Sequence, residues 1–283
     1  MKKNKKVLIV IVNYKSTKYL LELLDSIKNL SYKNYDILVV DNNSQESLDE
    51  LKKFNIKLIE NKENKGFTGA VNQGLKNYKY DYYLLLNPDT IVDEDLLSEL
   101  INTAESKKAG FVGSAIYDYG TKKLSALAGK RNFLTGLGFP IKNIKEPTEL
   151  DGKTEYVDAC SLLISRNVID KVGYFDENYF MYLETEDLIL RAKKQGFKIF
   201  TNPKAVVFHK LYGSAGGKKS KRTVYLLNKN RIYFMKKFTS KPRFISFLII
   251  NTLIILPLYI ITYLLKKDRF SLIPALIRGN FSI

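Results

Sequence analysis

Residues 81–90 read DYYLLLNPDT. Tyr82 to Leu86 are apolar or aromatic without a break. A run of that length between polar residues predicts a strand buried on both faces, as in a parallel sheet. It halts at Asn87-Pro88-Asp89, because Pro88 has no N–H to give a ladder. Asp89 therefore falls at the carboxyl end of a central strand, where open α/β sheets bind ligands. A carboxylate there needs a cation or several donors to offset its desolvation. Two readings stand. Asp89 holds a divalent metal, Mg²⁺ or Mn²⁺ by the hard-oxygen preference of those ions, with a diphosphate on it; or it caps a helix that begins near Asp93.

Outward from this strand, the pattern alternates. Residues 7–12 (VLIVIV) and 35–40 (YDILVV) predict two more buried strands, with a short one at 56–59. Between them, Leu20, Leu23, Leu24, Ile27 and Leu30 recur at helical spacing behind Ser16 or Thr17 as a cap. Residues 47–54 read as helical, 61–74 as a loop entering a helix, and 93–108 as a helix with an acidic first turn. Alternation over the first 110 residues predicts a parallel, doubly wound sheet. Three of its strands finish in polar residues, at Asn13, Asp41 and Asn87, so these share one rim.

The second half is less regular. Strands are predicted at 111–116, 160–164, 197–200 and 205–208, a short helix at 167–172, and an acidic helix within 176–196 ending at Gly196. Residues 118–155 give weak patterns and read as one long excursion facing an acceptor. Residues 213–222 read as a flexible Gly/Ser/Lys loop.

Charge is distributed unevenly. Residues 193–283 hold 19 of the 46 Lys and Arg but one of the 29 acids, Asp268, which leaves 27 bases against 28 acids in residues 1–192. A local basic segment suggests an anionic surface: phospholipid, nucleic acid or a phosphate-bearing substrate. Residues 244–265 contain no charge and are flanked by Lys241 and Arg243 before and Lys266 and Lys267 after. That length suits a membrane-spanning or membrane-lying helix, kinked at Pro257; a buried soluble helix is the alternative. Residues 270–277 read as an interfacial helix. Because the cations are interleaved with this apolar run, nucleic acid is not the expected partner. The apolar run at 7–12 is too short for a secretory leader. A single cysteine, Cys160, excludes an internal disulfide, and a single histidine, His209, excludes a multi-histidine metal site.

Several short stretches carry possible chemistry. Asp41-Asn42-Asn43-Ser44 closes the second strand with groups able to hydrogen-bond a flat ring, or simply forms a turn. Asn64 to Gly74 places glycines where a loop enters a helix, which admits close backbone approach to an anion. Glu184-Thr185-Glu186-Asp187 sets three carboxylates in one helical turn, with Arg191 four residues after Asp187. They form either a general base of raised pKa or a solvated acidic face. His209 ends an apolar strand and is either structural or a metal ligand.

Taken in order, Asn13-Tyr14-Lys15, Val40 to Ser44, Asn64-Lys65-Gly66-Phe67 with Asn72, Leu86 to Asp89, Gly173 to Glu177, Phe180 to Glu184 and Val207-Phe208-His209 resemble the family 2 glycosyltransferases, in particular the rhamnosyltransferase-like branch. The resemblance covers about residues 7–237. It implies a GT-A fold and inverting, metal-dependent transfer from a nucleotide-sugar donor to a glycan or lipid-linked acceptor of the cell envelope, at the cytoplasmic face of the membrane. By that likeness Asn13, Tyr14, Asp41, Asn42, Ser44, Asn64, Gly66, Phe67, Asn72 and Asn87 line the nucleotide sugar. Asp89 and His209 hold the metal, and Glu184, Glu186 and Asp187 supply the catalytic carboxylates. One departure matters: Thr185 stands where the family usually has its base, so Glu184 or Glu186 is expected to replace it, Glu184 in preference, and a non-catalytic sugar-nucleotide binder is the alternative. The implied division is a transferase unit over 1–237, with halves at about 1–110 and 111–237, and a membrane-associated helical segment over 238–283.

Overall fold

The computed structural model describes residues 5–210, 220–266 and 268–282. Four parallel strands build the first half: β1 (Val7–Asn13), β2 (Tyr35–Asp41), β3 (Lys57–Glu60) and β4 (Tyr82–Leu86). β4 is buried at every position, as its unbroken apolar run requires. Helices α1 (Thr17–Ile27) and α2 (Gly66–Asn77) cross between strands on opposite faces of the sheet. Leu20, Leu23, Leu24 and Ile27 are buried as their spacing demands. Ser16 occupies the cap position of α1 but makes no capping bond; Glu46 accepts from the Thr17 N–H and hydroxyl instead.

After β4 come β5 (Thr90–Val92), α3 (Leu96–Lys107) and β6 (Phe111–Asp118), then five short strands: β7 (Leu124–Ala126), β8 (Ala128–Arg131), β9 (Gly138–Ile141), β10 (Thr148–Glu149) and β11 (Glu155–Tyr156). There follow β12 (Ser161–Ser165), α4 (Arg166–Val172), α5 (Glu184–Lys194) and β13 (Ile199–His209), and last α6 (Lys221–Phe238), α7 (Lys241–Ile250), α8 (Leu256–Leu264) and α9 (Ile273–Phe281). The main sheet runs β10-β13-β6-β12-β4-β1-β2-β3, with β12 antiparallel to both of its neighbours. β8, β9 and β11 form a second, three-stranded sheet.

Several expectations are corrected. α3 starts at Leu96 with Asp95 in its cap position, and Asp89 precedes β5 instead. Residues 47–54 contain only a 3-10 segment, Asp49–Lys53. The excursion at 118–155 is not one loop: its strands are two to four residues long, too short to display a period. The strands expected at 197–200 and 205–208 are one strand, β13, carrying a bulge between Asn202 and Val206 that absorbs Pro203. Within 176–196 the helix occupies only 184–194. Of the loop expected at 213–222, residues 213–219 lie outside the described residues, and 220–222 already cap and open α6. Residues 241–264 form a continuous helix that carries a π turn at Asn251–Ile255, just ahead of Pro257.

Candidate active site

β1, β2 and β4 run parallel and in register, so Asn13, Asp41 and Asn87 come to one edge. Asp41 is buried, and its Oδ1 accepts from Asn13 Nδ2 at 2.8 Å while its Oδ2 accepts from the Ser44 N–H at 3.1 Å. Tyr14 lies half-buried beside them. A cavity of about 400 Å³ opens at the ends of β2 and β3, lined by Asp41, Asn43, Glu46, Asn61 and their neighbours. Its polar wall suits a planar, hydrogen-bonding ring.

Asn42 joins this rim to the next loop. Its Nδ2 donates to Asn64 Oδ1 and the Gly66 carbonyl, and its Oδ1 accepts from Asn61 Nδ2 and the Lys65 N–H. The side chain is thus saturated by protein and serves as a fastener. Asn72 is similarly occupied, by Phe175 and Glu177. Gly66 has φ +74°, and a Cβ there would lie 2.4 Å from the Phe180 carbonyl oxygen. That carbonyl accepts the Phe67 N–H at 2.8 Å, so the start of α2 is tied to the segment leading into α5.

Asp89 and His209 meet at the same edge. β5 pairs antiparallel with β13, which sets Thr90 opposite His209. Asp89 Oδ1 lies 3.1 Å from His209 Nε2, and the Lys210 N–H donates to the Asp89 carbonyl. Burial pulls the His209 pKa down, but the neighbouring Cys160 sulfur and the Asp89 carboxylate outweigh it and raise it. Among the described residues no cluster of three His, Cys, Asp or Glu side chains is present. Asp89 and His209 could give a cation one hard carboxylate oxygen and one imidazole nitrogen. That donor set fits Mn²⁺ or Mg²⁺ whose remaining positions are filled by diphosphate oxygens and water.

Glu184, Thr185, Glu186 and Asp187 are all buried, which removes the solvated-face reading. Their environments differ. Glu186 forms a buried two-pronged ion pair with Arg131 of β8. Asp187 pairs with Arg191 and with Lys237 of α6. Glu184 has no ion-pair partner among the described residues, and the Thr185 hydroxyl stands 3.5 Å from its Oε1. Burial, with added repulsion from Asp158 and Glu186, pushes Glu184 up to about 7. Asp158 Oδ1 accepts from the Cys160 N–H, and the Cys160 carbonyl accepts from the Asn87 N–H, which ties the Asp158 segment to the end of β4.

Backbone strain gathers at this edge. Lys15, Asn43, Gln45, Tyr182 and Leu183 have positive φ, five of the seven such non-glycine residues described. Strain of this kind collects at functional loops. Arg131 was not identified from sequence, because it lies in the patternless excursion. Its one signal is being the sole arginine among residues 1–165, where lysine supplies every other cation.

The model of glycosyl transferase family 2 matches residues 8–173. The chain belongs to glycosyl transferase family 2. Among its relatives, the rhamnosyltransferase WbbL of Escherichia coli K12 is 30% identical over 169 residues, 56% of this chain and 57% of that protein. The poly-beta-1,6-N-acetyl-D-glucosamine synthase of Staphylococcus epidermidis is 24% identical over 211 residues, 72% of this chain and 50% of that protein. This family 2 chain thus spans about half the length of these curated relatives. In structure it resembles GalNAc-T7, solved with UDP, GalNAc and Mn²⁺, with a TM-score of 0.64 at 17% identity over 80% of this chain and 48% of that one. The mannosyltransferase PcManGT of Pyrobaculum calidifontis, in complex with GDP-Man and Mn²⁺, gives 0.62 at 12% identity over 98% and 86%. At such identities the likeness speaks for the fold, which is GT-A: mixed α/β with a mostly parallel central sheet.

Proposed function

We propose that this family 2 chain moves a sugar, with inversion, from a nucleotide-sugar donor to a hydroxyl of a glycan or lipid-linked acceptor of the cell envelope, at the cytoplasmic face of the membrane. The observation that carries the reading is a division of labour between two buried centres. Asp89 and His209 are paired at 3.1 Å, whereas Glu184 is buried with no ion-pair partner among the described residues. In this reading, residues 1–237 form the transferase unit and 238–283 the membrane-associated segment.

The acceptor hydroxyl gives its proton to Glu184 as its oxygen bonds to the anomeric carbon. The bond from that carbon to the diphosphate breaks on the opposite face, which inverts the centre. Asp89 and His209 would hold a divalent cation, whose charge, when bound, stabilises the departing diphosphate. Asp41, positioned by Asn13 and Ser44, faces the cavity that would take the base. Glu186 and Asp187, already neutralised by Arg131, Arg191 and Lys237, position α5 and keep its first turn buried.

The test is transfer or hydrolysis across a panel of nucleotide sugars with Mn²⁺, in the presence of envelope glycan or lipid-linked acceptors. Equal rates for wild type and Asp89→Ala would sink the metal assignment. One observation favours a second reading: Thr185 occupies the position the family resemblance gives to the base. A protein that binds donor without turning it over, and gains turnover sharply on Thr185→Asp, would be a non-catalytic sugar-nucleotide binder.

A further inference from the structure

Residues Lys241–Leu264 form one helix long and apolar enough to cross a membrane. We propose that it does not cross, but lies in the plane of an anionic membrane surface with its outer face in the lipid. This rests on the membrane-surface part of the function proposed above and adds the geometry of contact.

The first ground is what covers the inner face. Phe247, Asn251, Ile255 and Leu256 are buried against α6, α9 and the turn before α9. The helix is therefore flanked along its length by protein. A spanning arrangement would carry those flanking elements into the hydrocarbon as well.

The second ground is the content of that flank. Arg231 of α6 is buried, and its Nη2 donates to Asn251 Oδ1 at 2.5 Å and Asn280 Oδ1 at 3.2 Å. No carboxylate lies within ion-pair range of it among the described residues. Asn251 stands near the midpoint of the 24-residue helix. If the helix spanned, this guanidinium would sit close to the bilayer centre without a counter-ion, where charge is costly. If the helix lies flat, Arg231 is above the lipid, on the protein side.

The third ground is the outer face. Ile245, Ile249, Leu253, Leu258, Ile261 and Leu265 are exposed, Leu253 by 70% and Leu265 by 80%. In an unbroken α-helix, Leu253 and Leu258 would point about 140° apart. The π turn at Asn251–Ile255 takes up an extra residue and so reduces that angle, and both side chains are exposed. The helix thus presents a row of exposed apolar side chains, and Phe270 and Phe281 beyond it are exposed as well. Exposed Lys241, Arg243 and Lys266 stand at its two ends, the arrangement that anionic headgroups favour.

The anchor is joined to the catalytic edge through α6. Asn230 Nδ2 donates to the Met181 and Tyr182 carbonyls, three and two residues before Glu184, and the Tyr182 hydroxyl meets Thr223 at 3.2 Å. A flat anchor therefore holds the Glu184 turn near the headgroups, within reach of an acceptor whose hydroxyl rides on a lipid.

The experiment uses the full chain with phosphatidylcholine vesicles, with and without phosphatidylglycerol. Spin labels go at Ile245→Cys, Leu253→Cys and Ile261→Cys, with wholly buried Cys160 left in place. Expected are preferential binding to phosphatidylglycerol vesicles and one shallow, equal depth at all three positions. A depth greatest at Leu253, with the two helix ends exposed on opposite sides, would overturn the inference. So would a dimer that shields all three labels from both lipid- and water-borne relaxing agents. The pair Leu253→Glu with Leu258→Glu should weaken vesicle binding by roughly tenfold or more while leaving the melting temperature in place. Failure to bind either vesicle would overturn both this inference and the membrane-surface reading, while donor turnover in detergent reports separately on the chemistry.

Discussion

Asp89 Oδ1 and His209 Nε2 are 120 residues apart in the chain and 3.1 Å apart in the fold. The pairing of β5 with β13 makes that contact, setting a carboxylate and an imidazole within hydrogen-bond distance of each other. We expect Asp89→Ala and His209→Ala each to abolish the thermal upshift that Mn²⁺ and a nucleotide sugar give together, a shift worth about 2.7 kcal/mol at a hundredfold excess over Kd. Transfer should fall by on the order of 10²–10³. Chelation of wild type should reproduce both losses. An upshift retained in both variants would remove the cation from this pair.

Glu184 gives a signed pH dependence. Its pKa rises from 4.5 to about 7, chiefly by burial. As a base it must be ionised, so kcat/KM should climb with pH and level off above about 7. Stability runs the other way. Between 4.5 and about 7 the unfolded chain releases this proton while the folded chain keeps it, so the fold loses stability as pH rises through that window. Above it the cost is roughly 3 kcal/mol. Glu184→Gln should therefore be more stable than wild type at pH 8 by up to that amount and no different near pH 4, while losing transfer. Equal stability at both pH values in denaturant titrations would show that Glu184 is solvated.

What could be read from sequence follows burial. β1 and β4 are covered on both faces, so their composition announced them, and the abrupt polar ends placed Asp41 and Asp89 on a rim. The carboxylates of α5 were visible as a cluster, but not their inequality. That inequality is set by Arg131 and Lys237, residues 55 and 50 positions away in the chain. Strands β7 to β11 were illegible because two to four residues cannot establish a period. β13 appeared as two strands because Asn202-Pro203-Lys204 looks like a loop, and only pairing with β6 on both sides of the bulge reveals continuity. Asn42 and Asn72 looked like ligand contacts; both are used up in tying loops together, a role that local pattern does not separate from binding.

Gly66 tests how tightly the donor loop is held to α5. Alanine there would suffer twice, from φ +74° and from a Cβ 2.4 Å from the Phe180 carbonyl oxygen. Gly196, just after α5, is the internal control, with φ +81° and nothing within 4 Å of its would-be Cβ. Gly196→Ala should cost about 1 kcal/mol, the conformational part alone. Gly66→Ala should cost roughly 2 kcal/mol or more and weaken donor binding, since the loop must leave Phe180. Equal melting temperatures for the two variants would mean that the Phe180 contact does not constrain the loop.

The pair of Arg131 with Glu186 separates structural from catalytic carboxylates. Both side chains are at most 9% exposed, and Arg131 also donates to the Gly136 carbonyl. Burial raises the Glu186 pKa, the guanidinium acts against that, and neither side chain can lose its partner without leaving a buried charge. Arg131→Met should therefore destabilise the fold by about 3–5 kcal/mol. Glu186→Leu alone should do comparable damage by stranding the guanidinium. The double variant should recover most of the loss, because two apolar groups of similar volume leave no charge to desolvate. Urea titrations of the four proteins give the coupling energy directly. If the double variant is as unstable as the sum of the singles, the pair does not interact as described. If its stability recovers but donor turnover does not, Glu186 has a chemical role beyond holding Arg131, and Glu184 would no longer stand alone as the base.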